Sequence, residues 1–247
     1  MARSFFTRGP YVPTDARRDR NVRVIAARKA RGEVIDPVAV DGPSIARTFW
    51  GKSWCAHLES YSDYETRLPR GRAYLKQGAV IHLALTPARI DALVQGSELY
   101  TVTIDVVPLA KPRWEALVQA CSGRIESAVA LLQGKLSDAV MRIVTDRDTG
   151  LFPALEEIVL HCSCPDHAIM CKHVAATLYG IGARLDDRPE LLFVLRAVDA
   201  MDLIGSAMPT VGASRKRATG LARGELSEVF GIAIDESPAS KRRKRRT

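Results

Sequence analysis

The amino-acid sequence predicts an α+β protein in which a small mixed body precedes a cysteine-rich segment and further helices. Residues 99–107 (LYTVTIDVV) alternate polar and apolar side chains, which is typical of a strand with one face in solvent. Residues 114–141 instead carry apolar side chains at helical spacing. Residues 162–173 (CSCPDHAIMCKH) hold three of the five cysteines and two of the five histidines. These three patterns together predict the fold class.

The N-terminal part is rich in arginine and poor in apolar residues. We expect a helix over residues 14–31, capped by Thr14 or Asp15, although its apolar stripe is thin. Two prolines and a glycine between residues 37 and 43 then predict a loop. The aromatic run at residues 49–54 (FWGKSW) opens the folded body.

The body is predicted to begin with two strands and to continue with helices. Residues 79–85 (AVIHLAL) form the first predicted strand and residues 99–107 the second, with a short helix over 87–94 between them. Two glycines divide the helical region 114–141 into roughly three helices.

The C-terminal half continues with a strand that brings in the first two cysteines. That strand covers residues 156–164, and helices are predicted over residues 174–185 and 188–198. Residues 205–220 form a linker of small residues, and the apolar segment 225–235 could dock on the body.

Composition places the protein in a broad class. The chain has 247 residues, of which 47% are hydrophobic, so it can bury a core. No apolar run approaches the roughly 20 residues that span a bilayer, and the start lacks the apolar stretch of a signal peptide. We therefore expect a cytoplasmic protein without membrane association, in which thiols stay reduced. The odd cysteine count also argues against a disulfide framework.

Positive charge is concentrated at the two ends of the chain. The formal net charge is +8, of which residues 1–47 carry +5, residues 48–213 carry −3 and residues 214–247 carry +6. Basic tails are typical of proteins that contact nucleic acid. The alternative is that they only keep the protein soluble. The C-terminal run consists of Lys241, Arg242, Arg243, Lys244, Arg245 and Arg246.

The cysteine-rich segment has the spacing of a metal site. Cys162, Cys164, Cys171 and His173 form the pattern C-x-C-x6-C-x-H. Cysteines two residues apart on a strand point to one side, and the second pair falls at the start of a helix. There the helix dipole and the neighbouring Lys172 favour the thiolate that a metal needs. Three sulfurs and one imidazole suit one Zn²⁺ ion.

Other interpretations of this segment stay open. His161 is expected on the opposite side of the strand from Cys162, whereas His167 lies in the connecting loop and could replace His173. The pairing of His173 with Cys171 favours His173. A redox pair of cysteines, or small buried side chains that cluster by chance, would also place cysteines here.

The ligand count predicts a structural metal and no enzyme activity. Four protein ligands close the coordination shell, whereas catalytic zinc keeps one position open.

His57 begins an H-x-E pattern, but the P-C-x-x-C half of a deaminase site is missing, and the sequence has no phosphate-binding loop. Cys55 and Cys121 are single cysteines in apolar surroundings, which are usually packing residues. Because zinc contributes about 10–16 kcal/mol in small modules, loss of one ligand is expected to unfold residues 158–185.

The C-x-C-x6-C-x-H pattern, followed by VAATLYGIGARL, resembles the SWIM-type zinc finger. A mainly bacterial family of SWIM zinc finger proteins resembles this chain in three segments, residues 47–78, 162–193 and 228–235 (EVFGIAID). The resemblance implies a ββα finger in which Cys162, Cys164, Cys171 and His173 hold the metal. It also implies an association with DNA-handling proteins, among them SWI/SNF-type helicases.

Four regions follow from these observations. Residues 1–45 are a basic arm, partly helical or disordered, and residues 46–157 are the α+β body. Residues 158–205 hold the ββα SWIM-type finger and the helices after it. Residues 206–247 are a linker, the docking segment 225–235 and a flexible basic tail.

Two functions are predicted for such a chain. The first is a nucleic-acid-binding accessory protein, with DNA favoured, no small-molecule substrate and a place in the cytoplasm or on the nucleoid. Its contacts would come from Lys172, the basic run 241–246, and a surface with Trp50 and Trp54. The alternative is a protein-interaction module that serves as partner of a SWI/SNF-type helicase without direct nucleic-acid contact. Its cue is the near-neutral, slightly acidic body, whose aromatic segment 49–54 could be an exposed anchor, although such aromatics are more often core.

Overall fold

A computed structural model describes residues 13–61, 66–166 and 168–205 of the chain. These residues form an α+β fold in which helices pack against one face of a four-stranded antiparallel sheet, so the predicted class is confirmed. The strands are β1 (Val80–Thr86), β2 (Arg89–Gln95), β3 (Leu99–Val106) and β4 (Ile158–Cys162). The helices are α1 (Thr14–Ala30), α2 (Phe49–Glu59), α3 (Leu68–Lys76), α4 (Lys111–Cys121), α5 (Ala128–Leu132), α6 (Asp138–Val144), α7 (Lys172–Asp187), α8 (Glu190–Leu195) and α9 (Asp202–Gly205).

The predicted helix over residues 87–94 is wrong, because this segment is strand β2. Ile90, Ala92 and Val94 are buried with a period of two, so they extend the apolar face of β1 across a hairpin. The turn needs Ala88 at a φ of 61°. That left-handed conformation is held by hydrogen bonds that Ala88 exchanges with β3 and with the end of α8.

Strand β3 has the two faces that its alternation predicts. Val102, Ile104 and Val106 are buried, and Thr101 and Asp105 are exposed. The strands follow the order β1-β2-β3-β4, so β3 pairs with β2 on one side and with β4 on the other. The cysteine-bearing strand is therefore part of the same sheet as the body, although the chain between β3 and β4 contains three α-helices and the short 3-10 helix Leu155–Glu157.

The N-terminal helix forms as predicted, but neither expected residue caps it. Pro13 occupies the N-cap position, and no side chain there bonds the helix. Asn21 is buried and donates a 3.0 Å hydrogen bond to the Gln77 carbonyl, which ties α1 to the end of α3. The chain after α1 then runs beside β1, where the N–H of Val38 bonds the carbonyl of Val80 at 3.1 Å.

Helix α7 forms the centre of the core, in agreement with the predicted helix over 174–185. It is buried on nearly all sides and contacts every strand as well as α2 and α3. Glycines permit these close approaches. A Cβ atom on Gly71 would lie 2.4 Å from the Cβ of Ala175, and one on Gly51 would lie 2.5 Å from the carbonyl oxygen of Gly182.

The remaining described helices agree with the predictions. Helices α4, α5 and α6 are the three helices expected over 114–141, extended by a few residues at each end of the region. Helix α8 lies within the predicted 188–198. The predicted linker over 205–220 and the docking segment 225–235 lie outside the described residues, apart from the last residue of α9. In the described ranges, no helix combines the length and apolar character that a bilayer crossing requires.

A buried ion pair joins α8 to the segment before β4. The Arg196 side chain is fully buried and donates to both carboxylate oxygens of Glu157, at 3.1 and 3.2 Å. It also donates to the Val107 carbonyl at 2.6 Å. This network fixes the start of β4, and hence the strand that carries the first cysteine.

Candidate metal centre

The first pair of cysteines lies at the edge of the sheet, where β4 ends. The predicted strand over 156–164 is correct to Cys162, which pairs with Val102, but Cys164 lies beyond the last strand residue. Ser163 fixes the path between the two cysteines. Its N–H donates to the Thr101 carbonyl at 3.0 Å, and its hydroxyl accepts from the Thr101 N–H at 3.0 Å.

The loop between the two pairs is tied to the rest of the protein at two points. Asp166 accepts a hydrogen bond from the N–H of Ala168 at 3.2 Å and forms a 2.9 Å ion pair with Arg67. Met170 is buried in the core just before the second pair. The loop therefore returns the chain to the sheet edge. His167 lies outside the described residues.

The second pair lies at the start of α7. Cys171 is the N-cap residue, and its carbonyl accepts from the N–H of Ala175 at 3.0 Å. His173 lies in the first helical turn, and both side chains are almost fully buried. Helix α7 is held by the core, so it presents these two side chains from a rigid element.

The structure brings Cys162, Cys164, Cys171 and His173 together. Their ligand atoms all lie within 4.8 Å of one another. The Nδ1 atom of His173 is 3.8 Å from the sulfur of Cys162 and 3.8 Å from the sulfur of Cys171. A tetrahedral zinc site with Zn–S bonds of about 2.3 Å and a Zn–N bond of about 2.0 Å has edges of roughly 3.5 to 3.8 Å. The four residues could therefore hold one metal ion.

Two tyrosines and a glycine position the His173 ring. The ring stacks on Tyr100 with centroids 4.3 Å apart, and Tyr74 meets it edge-on at 5.5 Å. A Cβ atom on Gly96 would lie 2.9 Å from Nε2, so only glycine leaves room for the ring. Nε2 is buried and has no hydrogen-bond partner among the described residues. The orientation of the His173 ring therefore depends on packing, and Nδ1 is turned toward the sulfurs.

The three cysteines influence one another's protonation. A hydrogen bond from the Cys162 thiol lowers the pKa of Cys171 to about 3, and the same interaction raises the pKa of Cys162. Burial raises the pKa of Cys164. A metal that binds here would displace protons from thiols of this trio.

The other histidine and cysteine candidates lie apart from this cluster. His161 is exposed and pairs in register with Thr103, on the opposite side of the strand from Cys162, as predicted. Burial raises the pKa of Cys55 to about 12 and also raises the pKa of Cys121, which favours packing over reactivity. His57 is half-buried, and its Nε2 lies 2.9 Å from the Pro153 carbonyl oxygen.

The residues predicted to contact nucleic acid lie in different surroundings, and their binding stays a prediction. Lys172 is half-exposed, with its ammonium 5.5 Å from the centre of the Tyr74 ring, so it remains accessible. Trp50 and Trp54 are wrong as surface residues, because their exposed fractions are 0% and 3%. Their indole N–H groups bond the carbonyls of Leu131 and Leu178 inside the core. The basic run 241–246 lies outside the described residues.

The burial of these tryptophans removes one surface that the alternative function could have used. Segment 49–54 was a possible exposed anchor for a partner helicase, but Phe49 is half-buried and the two tryptophans are core, which is the more frequent position of such aromatics. Sequence reasoning missed the residues that hold the His173 ring. Tyr100 lies on the buried side of the alternating strand β3, which was the one available signal.

The fold and the cluster define an α+β protein with a Cys3His group that could hold one metal ion. The chain is 32% identical over 185 residues to the uncharacterized protein Rv2102 of Mycobacterium tuberculosis. That match covers 74% of this chain and 62% of the relative, so the chain spans about three fifths of the relative's length. No family model matches the chain, and no solved structure matches it.

Proposed function

We propose that the chain binds one Zn²⁺ ion through Cys162, Cys164, Cys171 and His173, in a site of the SWIM type. The observation that carries this proposal is the pair of 3.8 Å separations between Nδ1 and two sulfurs within a buried Cys3His set. Thiolate and imidazole donors in a tetrahedron suit zinc better than magnesium or calcium, which prefer oxygen ligands.

The metal's role in this proposal is structural. Four protein donors leave no coordination position for water or substrate, so the ion would supply only a crosslink. That crosslink joins the end of β4 to the start of α7. The outermost ligands, Cys162 and His173, are eleven residues apart in the sequence. Because α7 also packs on α2 and α3, we expect loss of the metal to weaken the whole fold rather than residues 158–185 alone.

We further propose a nucleic-acid-binding accessory role, with DNA as the favoured partner and no catalytic activity. Two features support it, namely the basic ends, which carry +5 over residues 1–47 and +6 over residues 214–247, and the SWIM-type pattern. The alternative, a helicase-partner role without nucleic-acid contact, keeps the near-neutral body as its cue but not the aromatic anchor, because Trp50 and Trp54 are buried.

One pair of measurements tests these proposals. Metal analysis of the purified full chain is expected to find one zinc per chain, and a metal-free, fully folded chain would contradict the zinc proposal. The same protein is then titrated with single- and double-stranded DNA and with RNA at several salt concentrations.

A truncation after residue 240 tests the tail in the same assay. It removes six cations. The slope of the log of the binding constant for duplex DNA against the log of the salt concentration is therefore expected to become shallower by about 5. Equal slopes for the two chains would exclude the tail from the interface. Failure of the full chain to bind any of the nucleic acids would refute the nucleic-acid role.

A further inference from the structure

A cleft of about 240 Å³ opens beside the metal centre. It lies between the N-terminal half of α1, the end of α3, the turn between β2 and β3, and the start of α7. Its volume is below that of a drug-sized pocket, which is about 300–1,000 Å³, and is closer to one small charged group. The lining residues are Arg17, Arg20, Asn21, Tyr74, Gln77, Ala79, Gln95, Gly96, Ser97 and Lys172.

Three cations converge on this cleft, and none of the described residues that line it is acidic. With described partners, the Arg17 and Arg20 side chains make long hydrogen bonds of 3.4 Å, to the side chain of Gln77 and to the carbonyl of Ser97. Within the described ranges, neither arginine nor Lys172 forms an ion pair. Unpaired cations around a concave surface attract an anion, since low-dielectric walls strengthen their field.

The uncharged lining residues add hydrogen-bonding groups. Gln77 and Gln95 present side-chain amides, and Ser97 presents a hydroxyl that is 2.8 Å from the hydroxyl of Tyr100. A small group with several oxygen acceptors matches amide N–H, hydroxyl and guanidinium donors together. Among biological anions, a phosphate has this shape, and arginine is the side chain best suited to bind it.

The Tyr74 ring gives the cleft one aromatic wall, directly below the Lys172 ammonium. Cationic grooves that bind nucleic-acid strands combine phosphate contacts with aromatic side chains in this way. The aromatic wall and the three cations therefore favour the phosphate of a nucleotide over a simple inorganic anion.

We infer that this cleft is a phosphate-binding site, which a backbone phosphate occupies when the chain binds nucleic acid. The inference rests on the proposed nucleic-acid role for the source of the phosphate. The metal centre borders the site, because Lys172 lies between Cys171 and His173, and Gly96 separates the cleft from Nε2 of His173.

A matched pair of double variants tests the cleft. Arg17→Gln with Arg20→Gln removes two lining cations, and Arg18→Gln with Arg23→Gln removes two exposed cations of the same helix that do not line the cleft. Both variants lose the same charge from α1. Arg18 forms only an exposed ion pair with Asp41, which contributes little to stability.

The zinc-loaded full chain and both variants are titrated with fluorescein-labelled oligothymidylate and, separately, with thymidine monophosphate. We expect the cleft variant to bind the oligonucleotide roughly tenfold or more weakly, since each lost bond to a charged group is worth about 1.5–3 kcal/mol. Its salt slope should become shallower by about 0.7, the value for one phosphate contact on a single strand. The control variant should stay near the parent chain. Metal content and circular dichroism verify that both variants are folded.

The outcomes separate this inference from the proposed function. Oligonucleotide binding that both variants weaken equally, or that neither weakens, overturns the cleft and leaves the nucleic-acid role standing. Cleft-dependent binding of the monophosphate, by a chain that binds none of the single-stranded DNA, duplex DNA and RNA ligands, supports a phosphate site and refutes the nucleic-acid role. Binding of neither the monophosphate nor any of those nucleic acids overturns both.

Discussion

The imidazole of His173 stacks on the phenol ring of Tyr100, with ring centroids 4.3 Å apart and planes inclined by 30°. His173 belongs to the first turn of α7, and Tyr100 lies on the buried side of β3. The contact joins the central helix to the sheet at the place where the four predicted ligands meet. It also turns Nδ1 toward the sulfurs, because the ring cannot swing away from Tyr100 without leaving the core.

Replacement of Tyr100 should therefore weaken metal binding without removing a ligand. An aromatic pair is worth about 0.5–1.5 kcal/mol beyond its buried area, so Tyr100→Leu is expected to reduce zinc affinity roughly twofold to tenfold. Tyr100→Phe keeps the stacking and loses only the hydroxyl contact with Ser97, so it serves as the control. Competition with a chromogenic chelator measures both, and a Leu variant equal to the parent would show that stacking does not orient the ring.

Loss of a sulfur should have a larger effect. Cys162→Ser is expected to abolish stoichiometric zinc binding and to destabilise the fold by several kcal/mol, because structural zinc contributes about 10–16 kcal/mol in small modules. Cys55→Ser makes the same chemical change in a half-buried cysteine of α2 that lies outside the cluster. Metal analysis and urea unfolding compare the two. Full zinc content in the Cys162 variant would count against Cys162 as a ligand.

The close approach of α3 to α7 gives a test of packing. A Cβ on Gly71 would lie 2.7 Å from the backbone carbon of Ala175, which cannot rotate away, so Gly71→Ala should cost about 1–3 kcal/mol. Gly180 offers the control, because the nearest atom to its Cβ would be 3.4 Å away, an ordinary contact. Gly180→Ala should be neutral or should stabilise the helix by up to about 1 kcal/mol.

Thermal and urea unfolding of the two alanine variants distinguish these expectations. A Gly71 variant as stable as the Gly180 variant would mean that α3 and α7 are not in such close contact.

The ion pair between Glu157 and Arg196 makes stability depend on pH. Burial alone would raise the pKa of Glu157, but hydrogen bonds from the Ala154 N–H and the Arg196 guanidinium outweigh it and lower the pKa. A lowered pKa in the folded state stabilises the protein above the unfolded value of about 4.3. This contribution is lost as the pH falls through the folded-state pKa of Glu157.

Glu157→Gln should therefore cost about 3 kcal/mol at neutral pH, because it leaves the fully buried Arg196 without a counter-charge. The difference from the parent chain should shrink as the pH falls below about 4. Glu156→Gln, at the exposed neighbouring position, is the control and should change little. Urea unfolding from pH 7 to pH 3 measures both, and a pH-independent difference would contradict the electrostatic origin.

Local patterns predicted much of this protein. The alternation in residues 99–107 specified β3 and its wet face, and helical spacing specified α4, α5, α6 and α7, since these signals depend only on neighbours along the chain. The spacing C-x-C-x6-C-x-H likewise selected four residues whose ligand atoms meet within 4.8 Å. A strand end, a short loop and a helix start suffice to bring them together.

What local patterns could not predict depends on distant contacts. The sequence 87–94 was compatible with a helix, and only pairing with β1 and β3 makes it a strand, because the apolar face of β2 is completed by its neighbours. For Trp50 and Trp54 the sequence favoured the core but left a surface position open, and the placement of α2 against α7 decided between them.

The sequence by itself determined the fold class, most helices and the donor set of the metal centre, because each is encoded by residues close together in the chain. Only the tertiary structure decided what surrounds that centre. Gly96 comes from the turn between β2 and β3, Tyr100 from β3 and Tyr74 from α3. All three precede His173 by more than seventy residues and meet it through packing. The cationic cleft has the same origin, since Arg17 and Lys172 become neighbours only once α1 docks on the core.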